Sequence, residues 1–387
     1  MLTDRVIFAK GFRPFFLLAA LFAVAFVPLW LITYGGHIDA AAHFSAAIWH
    51  GHEMIFGYTV AVVAGFLLTA VSNWTRRETA TGGWLAGLCA LWIVGRLAII
   101  GAAWFPEWLV AAADLAFLPA LVVAIGRPLW ATNNRRNIKF VGILGLLWAA
   151  NAAMHASAIG LVDGWERPAL LLSLDLIIVI ALIVGGRIIP MFTRNATGVA
   201  TRSHKWLERA VFVGVAASIA MYLVWPASLA TAAVTAAAGL AVAARMTHWG
   251  AKATWDKPIL WVLHLGHAWI AVGLLLRAAA IVWTDVSAAM AIHALTVGAI
   301  GLLTLGMMAR VALGHTGRRL TVARPIAWAF GAIALAALFR TAAPIVAPAM
   351  YVDWVWVSSL LWAAAFLVYL VVYTPILVRP RADGRPG

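Results

Sequence analysis

His50, His52 and Glu53 fall together in the stretch "WHGHEMIFGY", at the mouth of a long apolar run. Imidazole and carboxylate groups ligate borderline metals and move protons. On a helix, His50, Glu53, Met54 and Gly57 share one face, and His52 points about 200° away from it by the helical period. The two histidines would therefore serve two neighbouring centres rather than one ion. Met54 beside His50 suits copper(I), which takes soft and borderline ligands.

Similar side chains recur at one depth of the other apolar runs. Arg96, Arg277 and Arg340 sit in the frames "IVGRLAII", "LLLRAAAI" and "ALFRTAAP". About two helical turns in from the same end, the intervening runs carry His52, Asp114, Asp175 and His293. Asn151 and His155 stand at similar depth in "WAANAAMHA". A charge inside a span costs about 2.5–3.5 kcal/mol on insertion scales and usually faces the bundle interior. One reading is an Arg–Asp network that specifies helix packing. The other is a cofactor layer, with His52 and His293 as axial ligands of a b-type haem. Arg96, Arg277 and Arg340 would then pair with the propionates. Asp114 and Asp175 would orient the histidines or hold the arginines. His50 and His155 are the copper candidates. His264 and His267, in "LHLGHAW", are neighbours on one helix face at a spacing that can chelate a metal. They lie far from the layer, and hydrogen-bonded packing histidines are the competing reading. His37 and His43 read as solvated loop residues.

These residues need a membrane to position them. The chain has 387 residues, 64% hydrophobic and 11% charged, against about 25% charged in soluble domains. Run after run reaches about 20 apolar residues, enough to cross a hydrocarbon core. The expected fold is all-α, a polytopic transmembrane bundle of twelve helices forming one domain over 1–387. Its spans are expected at about 14–34, 45–72, 83–102, 107–126, 138–160, 168–191, 206–225, 228–247, 258–283, 286–312, 324–346 and 353–377. The likeness of "GFLLTAV" (65–71) to "GLLTLGM" (301–307) suggests repeated helix pairs, with spans two and ten equivalent. The first apolar stretch lacks a small-residue cleavage site and reads as its own insertion signal.

The net charge of +14 follows topology rather than nucleic acid. Of 28 Lys and Arg, three are the arginines within spans and one, Arg167, lies in the opposite loops; the rest share one side with the termini. The positive-inside rule makes that side cytoplasmic and favours anionic membrane lipid. Cys89 stands alone, which excludes an intramolecular disulfide and argues against iron–sulfur and structural zinc chemistry. There is no C-x-x-C-H attachment motif and no soluble redox domain, so an electron donor would be a separate, unidentified partner. In "GGRIIPMFTRN", Gly185 and Gly186 allow close helix approach and Pro190 is expected to break the helix. Arg187, Arg194, Arg310, His315 and Arg318 are candidates for an anion pocket on the basic side; plain positive-inside charge is the alternative.

Three of these stretches, "WHGHEMIFGY", "GGRIIPMFTRN" and "MARVALGHTGR" (308–318), with "AKGFRPFFLLA" (9–19) and "HALTVGA" (293–299), resemble the NnrS family. The matching positions include His50, His52, Glu53, Arg187, Pro190, Arg194, His264, His293, Arg310, His315 and Arg318; His267 falls where an aromatic residue is expected. The resemblance implies a multi-pass bacterial inner-membrane protein that binds haem and copper. It also implies a role in nitric oxide metabolism or relief of nitrosative stress, often alongside denitrification. Nitric oxide would be a ligand, or the substrate of an oxidoreductase. The residues alone leave a second class open: a secondary transporter using buried Arg, Asp and His for an anion or proton-coupled substrate.

Overall fold

The computed structural model describes residues 6–37 and 42–385. Twelve of its helices are long and apolar enough to cross a membrane. They are α1 (Phe12–Tyr34), α2 (Ala46–Thr75), α3 (Gly82–Ile100), α4 (Glu107–Ala131), α5 (Lys139–Ala158) and α6 (Glu166–Thr197). The remainder are α7 (Lys205–Val224), α8 (Leu229–Met246), α9 (Pro258–Val282), α10 (Ala288–His315), α11 (Arg324–Val346) and α12 (Pro348–Val378). Among the described residues there is no strand. Each expected span is present. The sixth runs further than expected, because Pro190 lies inside the helix instead of ending it. Proline removes one backbone donor, and a membrane helix tolerates that when its neighbours re-satisfy the freed carbonyl.

The chain forms two compact units. The first comprises Met1–Leu176, Arg310–Arg319 and Tyr369–Gly387; the second comprises Ile177–Ala309 and Leu320–Val368. In the first unit Phe12, Phe15 and Phe16 of α1 are fully buried. Gly65 of α2 lies so close to them that a Cβ there would come within 2.9 Å of the Phe16 ring. Arg13 is buried and donates from Nη1 to the carbonyls of Leu377 (2.7 Å) and Arg379 (2.9 Å). Beyond α12 the tail is pinned back: Ala382 N–H donates to the Thr316 carbonyl and Arg381 Nη1 to that of His315, both at 2.9 Å. In the second unit, Gly273 seats Leu295 and Gly298 seats Trp269, so α9 and α10 pack at close range.

Two spans carry a wider turn at matching places. In α2 the segment Glu53–Thr59 is π-helical, and in α10 so is Ala294–Gly301. Each begins immediately after a histidine, His52 or His293. Such π segments recur at functional sites. They give α2 and α10 a common feature, but in a different register from the sequence likeness. Gly65 stands thirteen residues after His52, and Gly301 eight after His293.

Candidate metal centre

The π turn of α2 begins at Glu53, directly after His52. The wider winding aims the Thr59 hydroxyl at the Met54 carbonyl (2.7 Å) and opens the Gly57 carbonyl to the Trp92 indole N–H (3.1 Å). Gly57 also clears space for α3: a Cβ at Gly57 would lie 2.6 Å from the Phe22 ring and 3.3 Å from Arg96 Cδ. Arg96 passes over that gap and pairs through Nη1 with Glu53 and through Nη2 with Asp114. Gly95 does the same for α4, its missing Cβ leaving room for Asp114 at 3.2 Å. Two glycines thus bring one guanidinium between two buried carboxylates.

Around Asp114 the network extends to α5 and to the loop before α2. Asp114 Oδ2 accepts from Asn151 Nδ2 at 2.7 Å and lies 3.0 Å from His155 Nε2. It is 3.3 Å from His52 Nε2. His52, Asp114 and His155 are all buried and offer ligand atoms within 4.8 Å of one another, a group that could hold a metal ion. The outer nitrogens are held as in metal sites, where a ligating histidine anchors its second nitrogen on a polar partner. His52 Nδ1 lies 2.9 Å from Glu53 Oε1, and His155 Nδ1 lies 2.9 Å from His43 Nε2. Burial, with His155 and His52 adding to it, holds the His43 imidazole down to about 4, so this loop histidine is neutral at neutral pH.

The fit to a cation is chemical as well as geometric. With Nδ1–H given to Glu53, His52 Nε2 is a lone pair, yet it faces only oxygens: Asn151 Oδ1 at 2.9 Å and Asp114 Oδ2. Asn151 uses its amide donor on Asp114, so its Oδ1 is an acceptor. An imidazole between acceptors needs a second proton or a metal ion. The charge count agrees, with the two carboxylates, Glu53 and Asp114, set against one guanidinium, Arg96. Glu53 Oε2 is buried with no hydrogen-bond partner.

His52, Arg96, Asp114 and His155 come together, and His155, expected with His50, lies with His52 instead. His50 stacks on Trp30, ring centroids 4.0 Å apart. Asp175 is buried in α6 within the first unit. His293, Arg277 and Arg340 belong to the second unit. There His293 Nδ1 donates to the Ala289 carbonyl at 2.6 Å. Arg277 lies over the Tyr222 ring, and Arg340 Nη1 donates to the Tyr351 hydroxyl at 2.9 Å. Of the basic set, Arg187 and Arg194 fall in the second unit and Arg310, His315 and Arg318 in the first. His264 is buried in α9 and bonds Thr193.

Three participants have roles that differ from the sequence reading. Glu53 was read as a companion of His50 and is the ion-pair partner of Arg96. Asn151 was noted only for depth. His43 read as solvated loop, and no local signal distinguishes it, since its role depends on where α5 ends.

No curated protein matches the chain. A family model described as NnrS protein matches residues 6–381, which is nearly the whole chain and includes every residue of the buried network. The chain belongs to the NnrS family.

Proposed function

We propose that this is a nitric oxide-handling protein of the bacterial inner membrane whose metal centre is formed by His52, His155 and Asp114. Family membership supports the link to nitric oxide and to metal. The observation that carries the centre is His52 Nε2, an imidazole lone pair surrounded by oxygens in a network short of one positive charge. Copper fits these ligands, since imidazole suits it and a carboxylate can complete the set. Bound there, the metal supplies an electrophilic site for a small ligand such as nitric oxide. The chain's own residues do the rest. Glu53 and His43 fix the two ring orientations through the outer nitrogens. Arg96 offsets one of the two carboxylate charges, and the site residues are buried.

For haem, His293 is the better axial candidate. Its Nδ1–H donates to the Ala289 carbonyl, the backbone anchor that orients a ligating imidazole. Arg277 and Arg340, buried in the same unit, are of the type that binds propionates. His52 would have to give up its contact with Asn151 to act in that role.

The test is the absorption spectrum of detergent-purified protein, oxidised, reduced and reduced with nitric oxide, with metal analysis on the same sample. A Soret band that shifts with nitric oxide, accompanied by copper, is expected. A colourless, metal-free protein from cells supplied with haem and copper would contradict the proposal and return the network to the service of a carrier.

A further inference from the structure

A second group of histidines lies in the second unit, on α9. His264 and His267 are one turn apart on one face, which sets their Cβ atoms about 5–6 Å from each other. Both are buried, at 5% and 0% exposure. The indole of Trp249, also fully buried, covers both rings, with centroids 4.8 Å from His267 and 6.4 Å from His264.

At His264 the hydrogen bonds assign the ring nitrogens. The Thr193 hydroxyl donates to the Ile189 carbonyl at 2.9 Å, so its oxygen accepts from His264 Nε2–H at 2.8 Å. His264 Nδ1 is then an acceptor, and it is buried with no partner. At His267 neither ring nitrogen has a partner. Packing histidines in a bundle normally satisfy their nitrogens, because an unmade bond away from water is costly. Here adjacent rings leave three nitrogens unmet.

The surroundings say what is missing. Arg245 lies over the Trp249 ring, its Cζ 5.2 Å from the ring centroid. Although read from sequence as a loop charge, it is buried. Its Nε lies 3.0 Å from Glu208 Oε1, and Nη2 donates to the Leu182 carbonyl at 2.9 Å. That guanidinium is charge-balanced by its own carboxylate, which disfavours a free anion as the occupant. The deficit at the histidines is of an acid for two neutral lone pairs. A soft cation of single charge answers it, because copper(I) is satisfied by two or three imidazole-type ligands and adds little charge beside a guanidinium. Trp249 Nε1 and Arg245 Nη1, buried donors without acceptors, would receive a water or small anion as a further ligand of the ion. Gly185 lets His267 seat against α6: a Cβ there would lie 2.8 Å from His267 Nδ1.

We propose that His264 and His267 form a second metal site, selective for copper(I) and independent of the centre at His52, His155 and Asp114. The test is titration of chelator-stripped, full-length protein with copper(I) against a coloured competing chelator. Wild type is expected to bind two ions. His264→Gln and His267→Gln should each bind one, and Gly185→Ala, which keeps both ligands, should weaken one site at least tenfold. His155→Gln should lose the other ion and keep this one, and X-ray absorption of its remaining copper should show histidine ligation. Wild-type stoichiometry and affinity in both glutamine variants would overturn the proposal. So would a His155→Gln protein that binds no copper or whose copper lacks histidine ligands, a result that does not depend on the α9 variants folding. If His155→Gln keeps both ions while His267→Gln loses one, the first centre is wrong and the second stands.

Discussion

At the scale of single residues, the account rests on charge balance away from water. Arg96 pairs with Glu53 and Asp114 together and offsets one of their two charges, and all three are buried. Arg96→Leu leaves two carboxylates without their cation, a loss of roughly 3–5 kcal/mol for a broken buried pair. A thermal melt in detergent should show a clear drop in midpoint, and Arg96→Lys should recover part of it. An unchanged midpoint in Arg96→Leu would mean that the carboxylates are neutral and the pairs unimportant. Much of this was legible beforehand, because an arginine in an apolar run demands a partner and Asp114 is of the right type at the right depth. The identity of the whole set was not. His155 joins His52 around Asp114 of a third helix, a contact that the helical period within one span cannot forecast.

At the scale of elements, glycines set the distances and the tail closes one end of the first unit. A side chain at Gly57 meets the Phe22 ring at 2.6 Å. Gly57→Val is therefore expected to destabilise the protein by about 1–3 kcal/mol, the usual cost of overpacking, and to lower metal retention by pushing Arg96 from Glu53. Normal stability and normal metal content would show that α1 and α3 can yield. The tail gives a pH-dependent prediction. The Arg381 guanidinium holds the Asp383 carboxyl at about 2, below its usual 3.8. A depressed carboxyl pKa stabilises the folded contact above the unfolded value and loses it as pH falls through the folded one. The Arg381–Asp383 pair should stay intact at pH 5 and loosen between pH 4 and pH 2, seen as faster hydrogen exchange at Ala382, whose amide bonds Thr316. Asp383→Asn should show the faster exchange at every pH. These local devices are poorly legible in sequence: a glycine's role depends on which ring passes over it, and the tail's on a loop reached only through folding.

At the scale of the whole molecule, hydropathy carried the twelve spans almost to their ends, since about 20 apolar residues have few alternatives to crossing a membrane. It misjudged Pro190, where neighbouring helices rather than the local sequence decide whether the helix continues. With an even number of spans and the basic residues in the loops on the side of the termini, the positive-inside rule predicts that both termini are cytoplasmic. A fluorescent protein fused after Gly387 should therefore fluoresce. A phosphatase inserted at Gly164, between α5 and α6, should be active, and the reverse pattern would invert the topology. His52 belongs to the first unit and His293 to the second. The most direct measurement of the central claim is the metal content per chain of purified His155→Gln beside wild type, both from copper-supplied cells and both shown to be folded. The account predicts the loss of one ion per chain. An unchanged metal content would contradict a centre built on His52, His155 and Asp114.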